Sequence, residues 1–267
     1  MHTIGKQQEK LEKRDTMLTS TFIHIDGIGK KTEQSIWGSD VYTWKEFLEK
    51  NDRVKLGTRK KEMVISSIQE SLNRIQQEDY GYFYGLPHSE HWRVYKELKD
   101  KCCFLDIETT GLDKQGDDIT LIGIYDGKEP KIFIKGQNLE DFKDEVKKYP
   151  LVITFNGRCF DIPFIKEHFP EIKLEQFHID LRFVLASLGF RGGLKSVESQ
   201  LGLQREDSIK GMDGFESVVL WHKYQRGNKD ALVKLTEYLR ADICNLKPLM
   251  EYAYEEMKNR HFYGVAT

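Results

Sequence analysis

The chain has almost no excess charge of either sign: 41 Lys and Arg stand against 43 Asp and Glu, a formal net charge of −2. No global basic field draws a nucleic acid to the whole surface, so local patches must carry any such binding. Cysteine is scarce as well. Cys102, Cys103, Cys159 and Cys244 form no C-x-x-C pair and no cysteine and histidine cluster at zinc-finger spacing, so reduced thiols are expected rather than disulfides or structural zinc. Long apolar runs are missing. Stretches such as Ile119 to Tyr125 are far too short to span a bilayer, and the first ten residues lack the apolar core of a secretion signal. The expectation is a chain without membrane association, placed in the cytoplasm.

What is present is enough apolar material, 39% of 267 residues, for a sizeable core in one large or two modest domains. Residues 1–20 read as a polar tail. Over 21–78 apolar positions recur at helical spacing (Ile36, Trp37; Trp44, Phe47, Leu48; Met63, Val64, Ile68, Leu72, Ile75), broken by glycines, which predicts a small all-α domain. Residues 79–99, Gly- and aromatic-rich at first and ending in a short helix, read as a linker. From residue 100 to 267 the texture changes. Cys102–Ile107, Ile119–Tyr125 and Lys131–Lys135 read as three strands in an antiparallel meander. A charged helix (Leu139–Lys148), strands Leu151–Thr154 and Gln176–Ile179 and further helices follow, predicting an α/β architecture: a mixed five-stranded sheet flanked by helices.

The first strand carries an anomaly. Asp106 and Glu108 interrupt an apolar run, and alternation points both side chains to one face. Two carboxylates this close do not both stay ionised in an apolar setting without a compensating cation, and a hard divalent metal is the simplest one. The bland alternative is a strand end where both reach water. Asp161 follows the fourth strand, at the start of a helix, where it is either a ligand or an N-cap. Tyr238 and Asp242 lie four apart in a helical stretch and so share a face.

Asp106-Ile-Glu108, Asn156-Gly-Arg-Cys-Phe160-Asp161 and Tyr238-x-x-x-Asp242 together resemble the three motifs of the ribonuclease-H-like DEDD exonucleases, in the class with tyrosine before the last aspartate. Leu105-Asp-Ile-Glu-Thr-Thr-Gly111, Phe155-Asn-Gly-x-x-Phe-Asp-Ile-Pro-Phe164 and Tyr84-Gly-Leu-Pro-His88 look most like the YprB-like exonucleases, over roughly residues 84–255. The resemblance implies a ribonuclease-H-like fold and 3′–5′ hydrolysis of DNA or RNA to nucleoside 5′-monophosphates. It further implies two Mg2+ or Mn2+ ions held by Asp106, Glu108, Asp161 and Asp242, with Asp106 bridging. Two such ions about 3.5–4 Å apart stabilise both the attacking and the leaving oxygen, and all-oxygen ligation favours these metals over zinc. Tyr238, neutral with an ordinary pKa near 10, suits orienting the attacking water. A structure-selective endonuclease on the same fold and a non-catalytic nucleic-acid-binding adaptor are the alternatives.

Substrate contacts are expected from Asn156, from Phe160 by stacking on a base, and from Lys195 in Gly192-Gly-Leu-Lys195 at a helix start. Asn-Gly is equally an ordinary turn, and Asp180 before the next helix is expected to cap it. In the N-terminal domain Phe22-Ile-His-Ile-Asp-Gly27-Ile-Gly29-Lys30 resembles the hairpin of a helix-hairpin-helix module. There Gly27, Gly29 and Lys30 would hold a backbone phosphate, with Trp37, Trp44 and Leu48 as the core behind and the basic run Arg53–Lys61 extending the face. A purely structural helical module is the other reading.

Overall fold

The computed structural model describes residues 16–209 and 211–263, so most of the expected polar tail, residues 1–15, lies outside the described residues. Contacts divide the chain into two units, one of residues up to Glu97 with those from His261 onward, the other Leu98–Arg260. The expected linker at 79–99 is mostly 3₁₀ helix, at Tyr80–Phe83 and His88–Val94, and is grouped with the first unit as far as Glu97.

The first unit is helical: α1 (Lys30–Trp37), α2 (Trp44–Lys50), α3 (Thr58–Gln76) and the short α4 (Tyr95–Leu98) at its boundary. A capping box starts α2, with Thr43 Oγ1 accepting the Glu46 N–H at 3.1 Å while the Glu46 carboxylate accepts the Thr43 N–H at 3.3 Å. In α3 the buried stripe is Val64, Ile68 and Ser71, and Met63 and Leu72 are exposed. The sequence pattern places both inward; they are exposed because a 19-residue helix packed on one side buries only one such stripe. The core behind the Gly27 loop holds Phe22, Ile36, Trp37, Trp44 and Phe47. Leu48, expected there, is half-exposed, one position round the helix from Phe47. The indole N–H groups of Trp37 and Trp44 donate to the Ser20 and Thr21 carbonyls.

Arg93 is buried in this core at 1% exposure. It meets Glu33 at 2.9 Å and Glu90 at 2.7 Å, and Glu33 also accepts the Phe22 N–H at 2.7 Å. Breaking a buried pair strands the remaining charge, so Arg93→Met is expected to destabilise this unit by about 3–5 kcal/mol. A denaturant midpoint equal to that of the native chain would remove Arg93 from the stability of the unit.

The second unit is built on β1 (Cys102–Thr109), β2 (Ile119–Tyr125), β3 (Pro130–Ile134), β4 (Leu151–Thr154) and β5 (Phe177–Asp180). Its helices are α5 (Phe142–Val146), α6 (Asp161–His168), α7 (Leu181–Ser187), α8 (Leu194–Gln200), α9 (Gly214–Gln225) and α10 (Lys229–Tyr263). The strand order is β3-β2-β1-β4-β5, antiparallel across β1–β2 and β2–β3 and parallel across β1–β4 and β4–β5. This is the mixed five-stranded sheet flanked by helices, with the meander at one side. The helix expected over Leu139–Lys148 is a 3₁₀ turn, Leu139–Asp141, continued by α5.

Strand alternation splits the core in two. Cys103, Leu105 and Ile107 of β1, beside Ile122 and Ile124 of β2, face Phe142, Val146, Phe164 and Ile165 of α5 and α6. The other face buries Leu121 against Trp221 of α9 and Leu235, Leu239 and Ile243 of α10. Asp106 and Glu108 stand opposite Gly123 and Leu121, on this second face. No helix among the described residues is long and apolar enough to cross a membrane.

Candidate active site

Three carboxylates converge from two elements. Oxygen atoms of Asp106 and Glu108 on β1 and of Asp242 on α10 all lie within 4.8 Å of one another. Tyr238 stands one helical turn before Asp242, buried at 5% exposure. Asp161 opens α6 and turns back to β1, where Oδ1 accepts the Ile107 N–H at 3.2 Å and the carboxyl lies close to that of Asp106. Its carboxyl is thus turned toward β1, and the N-cap of its own helix, Phe160, has no side-chain cap bond.

Close approach of α10 to the sheet depends on a missing side chain. A Cβ at Gly123, the residue paired with Asp106, would lie 3.0 Å from Leu239 Cγ and 3.1 Å from Ile243 Cγ2. Those two residues flank Tyr238 and Asp242 on the same helix. Gly123→Val is thus expected to push α10 off the strand, costing about 1–3 kcal/mol by overpacking and separating Asp242 from Asp106. Divalent-metal affinity at least tenfold weaker, with the fold retained by circular dichroism, is the expected result; unchanged affinity would show that helix and sheet tolerate the wider spacing.

Burial and mutual repulsion raise every acid of the set. The Glu108 carboxyl is pushed up to about 8, by burial and then by the charge of Asp242. Asp161 rises to about 7 and Asp242 to about 6, burial leading in both, with Arg205 opposing the rise at Asp242. Asp106, half-buried, is raised well above the usual carboxylate range by desolvation and by Asp161, Asp242 and Glu108. Full ionisation of such a set at neutral pH needs added positive charge, and its donors are all hard oxygens. The residues fit a divalent cation such as Mg2+ or Mn2+. Burial, then the charges of Asp242 and Glu108, drives the Tyr238 phenol further above its ordinary value, so it is a neutral O–H.

Around the acids the structure brings together groups that the motifs did not mark. Arg205 lies 2.5 Å from Asp242 Oδ1 through Nη2, and its Nε and Nη2 grip the Glu198 carboxylate, each at 2.7 Å. Ser217 of α9 lies close to Glu108 and lowers its pKa slightly, while its hydroxyl donates to the Gly214 carbonyl at 2.9 Å. Lys195, on α8, sets its ammonium 4.8 Å from the Tyr238 ring centroid, and desolvation lowers its pKa. Glu198, Arg205 and Ser217 carry no local signal, since isolated charged or hydroxyl residues in helices and loops read as solvated.

The other expected contacts are placed as follows. Asn156 has a left-handed φ of 68°, and its side-chain oxygen accepts from Arg182 Nη1 at 2.5 Å. Asp180 caps α7 through the Arg182 N–H at 3.1 Å, as expected, and also accepts the N–H groups of Asn156 and Arg158. It thereby fixes the loop that leads to Asp161. Phe160 is half-buried with its ring on Phe164, centroids 4.8 Å apart. In the first unit, Gly27 takes φ +71° and Gly29 is the N-cap of α1. An open concavity of about 540 Å³ is lined by Ile23 through Gly29 and by Gly85. The Lys30 ammonium beside it is paired with Glu90. Arg53, Lys55 and Arg59 are exposed at and before the start of α3, with Lys60 and Lys61 half-buried.

Among known families, the model described as RNase_H superfamily matches residues 103–254, more than half of the chain. No curated protein matches. Among solved structures, the family B DNA polymerase of the hyperthermophilic archaeon Pyrobaculum calidifontis is 13% identical, with a TM-score of 0.45 over 58% of this chain and 24% of that one. The present chain thus spans about a quarter of the polymerase. Brucella melitensis NrnC is 17% identical, with a TM-score of 0.44 over 64% of this chain and 80% of its own, and the same values hold for its structure with bound Mg2+.

Proposed function

From the premise that the chain belongs to the RNase_H superfamily, we propose that it is a metal-dependent 3′–5′ exonuclease of the tyrosine-class DEDD type, close to the YprB-like group. Its substrate is DNA or RNA, and its products are nucleoside 5′-monophosphates. The observation that carries this reading is the convergence of Asp106, Glu108 and Asp242 within 4.8 Å, with Asp161 close to Asp106 and Tyr238 one turn from Asp242. Polarity and products follow from the motif resemblance. When bound, two divalent ions supply charge stabilisation to both oxygens of an in-line phosphodiester displacement.

The chain's own residues then have distinct tasks. Asp106, Glu108, Asp161 and Asp242 would hold the cations, with Asp161 fixed by the Ile107 N–H and Asp242 by Arg205. Tyr238 presents a neutral hydroxyl for orienting the nucleophilic water, and the nearby Lys195 ammonium favours an anionic substrate. Asn156 and Phe160 border the Asp161 loop as contacts for the terminal nucleotide. The Gly27–Gly29 loop, its concavity and the exposed basic residues before α3 support a second, sequence-independent hold on the polymer backbone.

The test is cleavage of 5′-labelled single- and double-stranded DNA and RNA oligonucleotides with Mn2+ or Mg2+, beside Asp106→Ala. A metal-dependent ladder shortening from the 3′ end and lost in the variant is expected. One discrete internal cut would favour an endonuclease, and binding without cutting would leave an adaptor.

A further inference from the structure

Arg205 is held in a way that a charge-neutralising brace does not need. Its side chain is 6% exposed, and Glu198 grips the Nε and Nη2 edge of the guanidinium. Glu198 is itself buried at 2% exposure and is fixed from α10 by Asn245 Nδ2 at 3.0 Å. Nη2 also reaches Asp242 Oδ1. The remaining nitrogen, Nη1, is buried and has no hydrogen-bond partner among the described residues. A guanidinium does not shed a proton, and a buried charged donor left without an acceptor is costly. Nη1 shares its carbon with the nitrogen touching Asp242, so the unpaired donor sits beside the acid cluster. Arg205 and Lys195 further share the Tyr238 ring, at 5.7 and 4.8 Å from its centroid.

Resting on the nuclease reading, we propose that Arg205, braced by Glu198, is a substrate-contacting residue whose Nη1 donates to a non-bridging oxygen of the phosphate being released. Planar, rigid guanidinium donors suit phosphate, and the Glu198 grip removes most of the rotamer freedom that binding would otherwise have to freeze. Glu198 touches no substrate and acts as the positioning residue for Arg205.

The experiment separates anion binding from cleavage. Adenosine 5′-monophosphate is titrated calorimetrically into the full chain at saturating Mn2+, and Mn2+ alone in a parallel series, for the native protein, Arg205→Lys, Arg205→Gln and Glu198→Gln. Expected are monophosphate affinities at least tenfold weaker in both Arg205 variants and a smaller loss in Glu198→Gln, each change in monophosphate affinity exceeding the accompanying change in Mn2+ affinity. Circular dichroism identifies any variant that fails to fold, and the second Arg205 variant then carries the comparison. Unchanged monophosphate affinity with weakened Mn2+ binding would reduce Arg205 to a brace for Asp242 and overturn the proposal. So would a native protein that binds no monophosphate. Native protein that cleaves no polymer yet binds the monophosphate through Arg205 would sink the nuclease reading and keep the anion site. Cleavage by the native chain with Arg205-independent monophosphate binding would do the reverse.

Discussion

Asp106→Asn is expected to lose metal-dependent cleavage by at least about 10²–10³-fold, the scale of removing one preorganised electrostatic group, and yet to melt higher than the native chain at pH 8 in EDTA. The acids of the cluster have folded pKa values above their unfolded ones, about 8 at Glu108, 7 at Asp161 and 6 at Asp242. Well below pH 4 both states are protonated and the cluster is neutral, and the unfolded carboxyls ionise first, near pH 4. As pH rises through these folded values the unfolded chain binds fewer protons than the native one, so stability falls until the folded groups have ionised. Replacing the central carboxylate by a neutral amide removes part of that repulsion. Saturating Mn2+ should reverse the order. At a hundredfold excess over its Kd a ligand adds about 2.7 kcal/mol, roughly 5–10 °C for a chain of this size, in the native protein and little in the variant. Scanning fluorimetry at pH 5 and 8, with EDTA or Mn2+, reads all of this. A variant less stable than native in EDTA at pH 8, together with a native melting temperature indifferent to Mn2+, would mean that the acids are not a metal site.

Tyr238→Phe should slow cleavage about 10²-fold, the lower end for loss of one preorganised hydrogen-bonding group, with half-saturating Mn2+ changed less than threefold. Phenylalanine keeps the ring that packs with Ile209 and Met212 and faces the Lys195 ammonium, so only the hydroxyl is lost. Because burial and the neighbouring carboxylates keep that hydroxyl protonated, native and variant pH–rate profiles should run parallel through neutral pH. Equal rates would make Tyr238 a packing residue, and a large shift in metal affinity would place its effect on Asp242 instead.

Much of this arrangement was legible from local spacing. Residues two apart on a strand share a face, which put Asp106 and Glu108 together, and residues four apart on a helix share one, which aligned Tyr238 with Asp242. The strands Ile119–Tyr125 and Leu151–Thr154 have the boundaries expected from their apolar runs, and β5 starts one residue later than expected. Turn and cap chemistry foretold Asp180 at the start of α7. Other assignments were not readable. Phe47 and Leu48 are adjacent and equally apolar, and only the direction of packing buries one of them. Asp161 had two roles open to it until β1 offered the Ile107 N–H.

Local spacing, a property of neighbouring residues, was therefore enough for the five strands, the order of the sheet's first three and the faces that carry Asp106, Glu108, Tyr238 and Asp242, but not for the 3₁₀ segments at Tyr80–Phe83, His88–Val94 and Leu139–Asp141. The tertiary structure alone decided which charges are buried and what they meet: Glu198 with Arg205, Arg205 with Asp242, Lys30 with Glu90, and Gly123 under α10. The reason is physical. A charge's energy depends on the solvent it loses and the partners it gains, and both are supplied by segments distant along the chain.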